Sequence, residues 1–307
     1  MRFTILFTAL ISVLGLEAQV ITPPPSSLRV EPKDDGFIPK HEIHAIQSTN
    51  RAAEIPFVRF DDVMWSTRHY EIIQVHEKIN HPLYYPEKPL GDRKSLWDII
   101  VESLTEEGIF DASQFSAGYV IDGQDKEREG DFVFGRPMSH SGIMGTIYKV
   151  DSIFINDDRS QGLDYVTKVK IESKHVVAYK IKTDWYFDKQ RGEMRSQIIG
   201  ICPVVQIDDP AFPPLLKQPT DLFWIFFPAL RDVLAQNVVY NPSNNAKRLT
   251  FDQLFQMRYF NSRIYKEDNV YDRMIAEYKQ LGRMGQLLES QRIREELRDY
   301  EGSLWQF

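Results

Sequence analysis

The spacing of apolar residues changes twice along the chain. Between residues 56 and 122 it is helix-like. Asp61 or Asp62 can cap a helix carrying Val63, Met64, Trp65, Tyr70, Ile72 and Ile73, and that helix should end before Pro82. Residues 80–86, Asn-His-Pro-Leu-Tyr-Tyr-Pro, read as a rigid aromatic turn. Ser95 starts a second helix, with Asp98 three residues on as its capping partner. Leu96, Ile99, Ile100 and Leu104 form its apolar face, and Gly108 is a natural stop. A charged loop follows at 123–130.

From 131 to 207 the period falls to two. Residues 147–155 and 165–171 are rich in β-branched and aromatic types. In the run 177–187, Val177, Tyr179, Ile181, Trp185 and Phe187 occupy one face, and Lys180, Lys182 and Asp184 the other, as in a half-buried strand. Residues 188–192 form a hairpin loop, and 194–207 return as the partner strand. Sequential hairpins without helical crossovers predict an antiparallel sheet.

After residue 208 the spacing is helical again. Thr220 can cap a helix over 221–227, with Pro228 kinking it or restarting it at a first turn. Thr250 caps another, with Gln253 closing a capping box and Phe251, Phe255 and Tyr259 forming a stripe. A last helix puts Ile293, Leu297 and Tyr300 on one face, and the aromatic terminus 304–307 should tuck against the domain. The fold class expected is therefore α+β: a central antiparallel sheet (131–207) flanked by N-terminal (56–122) and C-terminal (208–307) helical parts.

The first 55 residues fit none of this. Met1-Arg2 is positive, 3–16 is an apolar run too short to span a bilayer, and Ala18 precedes Gln19. This is the layout of a signal peptide, 1–18, with a buried N-terminal strand or helix as the competing reading. Residues 19–55, with Pro23-Pro24-Pro25, Pro32 and Pro39, read as an extended tail, either a spacer or an arm that docks on a neighbour. Cys202 is the only cysteine of the 307 residues, so no acyl-accepting cysteine follows the expected cleavage point and no internal disulfide forms. In its apolar run Cys202 reads as a core residue, with a nucleophile or intermolecular bridge as the alternative. The most apolar later stretch, 222–230, is broken by Pro228. The expectation is an exported protein without an anchor of its own.

Charge and chemistry narrow the function. A net charge of −7 argues against a nucleic-acid partner. Aromatics make up 12% of the chain; they serve the core or protein contacts. His76-Glu77 and His81 resemble a zinc-protease motif, but an i, i+5 spacing turns the second ring about 140° away from the first on a helix. His41 and His44 lie in the tail. Ser139-His140-Ser141-Gly142 lacks the glycines of a nucleophile elbow, Gly142 and Gly145 do not make a phosphate loop, and 122–131 is too irregular for a calcium loop. Asp157-Asp158 reads as a solvated turn. No catalytic, cofactor-binding or metal-ligating residue is expected. The aromatic, proline-bounded segments 83–86 and 223–228 supply the candidates for contact, Leu83, Tyr84, Tyr85, Phe223, Trp224 and Phe226, with core packing as the competing reading.

Several long runs together carry a family likeness. They are DVMWS at 62–66, EKINHPLYYP at 77–86, WYFDKQR at 185–191 with IIGICP at 198–203, LFWIFFP at 222–228, and IYKEDNVYDR at 264–273. From about residue 55 to its end the chain resembles the GldN (PorN) family of gliding-motility and type IX secretion proteins of the Bacteroidetes. The resemblance implies a non-enzymatic periplasmic subunit at the inner face of the outer membrane. In the family it builds a ring with the outer-membrane lipoprotein GldK (PorK) and contacts the periplasmic part of the inner-membrane motor protein GldM (PorM). The rival class is a periplasmic hydrolase or small-ligand-binding protein. A deep pocket with convergent polar groups would favour the rival, and broad apolar patches would favour assembly.

Overall fold

Helices of this chain begin where a side chain or a proline can start them, and its strands take the β-branched and aromatic runs. The computed structural model describes residues 51–90, 93–105, 120–122, 138, 140–153, 165–208, 214–240, 249–271, 273–278 and 282–304. These fall in one unit, Gln47–Phe307. The expected signal peptide, the tail up to residue 50, Gly108, the loop at 123–130, Asp157-Asp158 and residues 305–307 lie outside the described residues.

In chain order the elements are β1 (Val63–Gln74), α1 (His81–Tyr84), α2 (Leu96–Thr105), β2 (Val120–Asp122), α3 (His140–Ile147), β3 (Tyr148–Ile153), β4 (Tyr165–Lys170), β5 (Val176–Asp188), β6 (Glu193–Val205), β7 (Thr220–Asp221), β8 (Phe223–Phe226), α4 (Phe227–Gln236), β9 (Val238–Val239), β10 (Leu249–Thr250), α5 (Phe251–Gln256), β11 (Arg263–Glu267), α6 (Ile275–Tyr278) and α7 (Gly282–Leu304). The main sheet is antiparallel throughout, in the order β11-β1-β5-β6-β8-β2, with β7 also on β6. β3 with β4, and β9 with β10, form separate two-stranded pairs. The α+β class and the antiparallel sheet are as the sequence predicts. So is the β5–β6 hairpin: Gly192, at φ 65, donates its N–H to the Asp188 carbonyl at 2.8 Å, and the Asp188 carboxylate accepts the N–H groups of Gln190 and Arg191.

Four elements differ from expectation. The segment after Asp62 is the strand β1, not a helix. From Arg68 to Glu71 both its faces are buried, so the period of two disappears from the sequence and the apolar spacing mimics a helix. The segment 221–226 is not helical either, since it holds the end of β7 and all of β8. Phe223, Trp224 and Ile225 are all buried, and such a short continuous run carries no period. Pro228 instead sits in the first turn of α4, which is the restart it favours. The third difference is the stripe of α5. That helix ends at Gln256, and Arg258, at φ 52, turns Tyr259 outward. β5, too, is buried more fully than a half-buried strand: Thr183 and Lys182 lie on opposite faces and both are buried.

Helices cover one face of the sheet. Leu96, Trp97, Ile99 and Ile100 of α2 meet Ile73, Tyr179, Ile181 and Ile201 of the strands, together with Phe227 of α4 and Phe255 of α5. Trp97 Nε1 donates to the Ile171 carbonyl at 2.9 Å. Caps start two of these helices as expected. The Asp98 N–H donates to Ser95 Oγ at 3.1 Å, and the Thr250–Gln253 box is closed in both directions. At the β11 end α7 lies over the same face, with Ile293 against Ile264 and Ile275, and with Tyr300 stacked on Trp65 at 4.6 Å. On the other face Arg68 pairs with Asp184 at 2.5 and 2.6 Å and Lys180 with Asp221 at 2.5 Å, and the Lys182 and Lys266 ammonium groups flank the Tyr70 ring.

Candidate functional site

The six residues singled out for contact divide by burial. Leu83 and Phe223 are part of the main core, and Trp224 packs on Cys202 on the other side of the sheet. Phe223 also stacks on Trp97. Tyr84 is partly buried against the core, and its carbonyl accepts Ser173 Oγ at 3.1 Å. Phe226 is partly buried at the entry to α4. Tyr85 alone is largely at the surface, before a cis bond to Pro86, with its ring edge-on to Tyr84 at 4.8 Å. The structure therefore brings these two segments into one packed body and leaves Tyr85 as their outward face. His76 and Glu77 follow β1 and are not helical. His81 Nε2 lies 3.2 Å from the His76 carbonyl, and Glu77 accepts Asn261 Nδ2 at 2.6 Å. Ser139 lies outside the described residues.

A different place has the features of a site. Where α7 crosses β11, β1 and β5 it leaves a cavity of about 320 Å³. Glu71 of β1 stands in its wall and is 1% exposed. Both its oxygens accept Arg258 Nη2 at 2.6 Å, and one also accepts Ser262 Oγ. Arg258 reaches Glu71 from the left-handed conformation that ends α5. Its guanidinium lies 5.1 Å from the Trp185 ring centroid and 5.3 Å from that of Phe260. That backbone position disfavours a side chain other than glycine, so the strain is repaid by the buried ion pair. Arg294 of α7 enters from the other side and donates to the Ser262 carbonyl and, at 3.2 Å, to its hydroxyl.

His69 lines the same cavity and is buried. Burial is the main reason its pKa falls to about 4. Glu71 opposes the fall, while Arg258 and Arg294 add to it. At neutral pH the ring is therefore uncharged. Ser262 donates its hydroxyl proton to a carboxylate that also accepts two hydrogen bonds from Arg258. The sequence hides this cluster because its members come from β1, β5, the turn after α5, β11's approach and α7. Its one local sign is His69 and Glu71 within a strand otherwise rich in β-branched and aromatic residues.

Among the exposed large apolar side chains, three groups stand away from this cavity and from Tyr85. Phe57, Phe60 and Met64 stand before and at the start of β1, Val270 and Tyr271 form a loop tip after β11, and Met284, Leu287 and Leu288 lie on the first turns of α7. The loop tip is pinned by Asn269, whose Oδ1 accepts the N–H groups of Tyr271 and Arg273 at 3.1 Å each. Among the described residues no helix is long and apolar enough to cross a membrane.

The family model described as "Gliding motility associated protein GldN" matches residues 58–306. Nothing among the curated proteins matches the chain.

Proposed function

The chain belongs to the GldN family of gliding motility associated proteins, and from that premise we propose that it is a non-enzymatic structural subunit of the type IX secretion and gliding apparatus. In this reading residues 1–18 are removed on export and 19–55 form a tail. The remaining domain lies in the periplasm against the inner face of the outer membrane. There it assembles in a ring with the lipoprotein GldK (PorK) and links that ring to the periplasmic part of the motor protein GldM (PorM). The observation that carries the reading is the family match, which spans nearly the whole described unit. The three exposed apolar areas support it, since a scaffold needs surfaces to give to neighbours.

The test is fractionation. In normal cells the protein should sediment with the outer membrane and co-purify with the lipoprotein and the motor protein. In cells lacking the lipoprotein it should become soluble or be degraded. Stable membrane attachment there would overturn the scaffold reading. The second reading, a periplasmic hydrolase or small-ligand-binding protein, draws on the cavity beside Glu71.

A further inference from the structure

Charge in the cavity under α7 is unbalanced in a particular way. Glu71 neutralises Arg258. Arg294 has no such partner: its hydrogen bonds go to the carbonyl and hydroxyl of Ser262, both neutral, and no carboxylate pairs with it among the described residues. Its side chain is nevertheless partly buried, and burial lowers its pKa against the opposing pull of Glu71. Arg298 stands exposed at the rim, one turn further along α7, with Glu301 as the rim's single carboxylate. Burying a guanidinium without a counter-ion is costly, and the cost disappears when an anion arrives.

Hydrogen-bonding capacity is also left over. Trp185 Nε1 and Arg258 Nη1, on two residues that line the cavity, have no acceptor in the structure. His69 lies in the same wall. Buried polar groups are nearly always satisfied, so two unsatisfied donors on residues of a single cavity mark it out as a place for a ligand.

We infer that this cavity is a carboxylate-binding site, with Arg294 as its anchoring cation. A guanidinium presents parallel N–H groups that match the two oxygens of a carboxylate. The walls suit the rest of such a ligand: Trp185, Phe260 and Leu297 are flat or apolar and take a hydrocarbon or aromatic stem. A volume of about 320 Å³ is at the lower end for small-molecule sites. It holds a short acid or one amino-acid side chain with its carboxylate. The carboxylate has two sources, a free small acid or the end or acidic side chain of a polypeptide.

The experiment follows the indole N–H signals of the mature protein labelled with ¹⁵N at tryptophan, with Trp185 assigned by the change Trp185→Phe. Phenylacetate should shift the Trp185 signal saturably, and its neutral amide, phenylacetamide, should not. The tripeptide Gly-Gly-Phe, as free acid and as C-terminal amide, provides the second arm. Saturation by phenylacetate alone assigns a free acid, and saturation by the peptide acid alone assigns a polypeptide carboxylate. Arg294→Gln should weaken binding of whichever acid binds by about tenfold or more, Arg294→Lys by less, and Arg292→Gln, outside the cavity, not at all. The inference is overturned if neither acid saturates the signal, if acid and amide act alike, or if a folded Arg294→Gln protein binds as well as the unsubstituted one. Should that variant fail to fold, the comparison of acid with amide on the unsubstituted protein decides.

Discussion

Side chains that look out of place in β1 explain one another. Glu71 can be buried because Arg258 and Ser262 meet it, and His69 can be buried because it stays neutral. Acid should therefore destabilise the protein through His69. The unfolded ring takes its proton near pH 6.5 and the folded ring only near 4. The contribution is complete above pH 6.5 and is lost as the pH falls from there towards 4, to the extent of about 3 kcal/mol. Urea midpoints measured at pH 7 and 4.5 should differ less in His69→Gln than in the unsubstituted protein; an equal difference would show that another group controls the acid limb. Glu71→Gln removes the counter-charge of the partly buried Arg258 and should cost about 2 kcal/mol in the same assay at pH 7. Cys202 is different. It is buried against Trp224 and its thiol lies 3.6 Å from the Pro203 carbonyl, so Cys202→Ala should cost about 1 kcal/mol and leave secretion intact. Beyond His69 and Glu71 in one strand, the cavity cluster was not legible as a site in the sequence, because a site assembled from five separated segments leaves no spacing to read.

Elements were legible in proportion to how local their causes are. α2 and α5 begin at side-chain caps three residues long, and a cap is a pattern the sequence displays directly. The β5–β6 hairpin was legible for the same reason, since its turn is set by Asp188 and Gly192. β1 and β8 were misread because their strand character depends on what covers them. Burial on both faces of β1 comes from packing that is remote in sequence. The caps make a direct prediction: Thr250→Ala should lower stability by about 1 kcal/mol, with α5 rather than the sheet losing amide protection in hydrogen exchange. Uniform loss of protection would mean that Thr250 matters through packing instead.

For the whole molecule, the class of fold was legible and its closure was not. Alternation and hairpin order predicted an antiparallel sheet, but nothing local indicated that β11, from the far end of the domain, would pair with β1. The expected export signal makes its own prediction at this scale. Terminal sequencing of the protein recovered from the periplasm should start at or near Gln19, and retention of Met1 there would remove the export step from the proposed function.

The pairing of β1 with β11 also has a consequence in time. Glu71 and Ser262 are hydrogen-bonded across 191 positions, and Arg68 meets Asp184 across 116, whereas β5 turns into β6 through four residues. Closing the long loops costs more entropy and is slower than closing the hairpin. During synthesis β1 emerges first, yet its neighbour β5 emerges far later and β11 later still. A growing chain therefore carries one long strand without its partners until most of the domain exists. Chains halted before residue 263 should be cut by protease within β1 at a rate that falls sharply once β11 is added. The last strand made is thus the one that ends the exposure of the first.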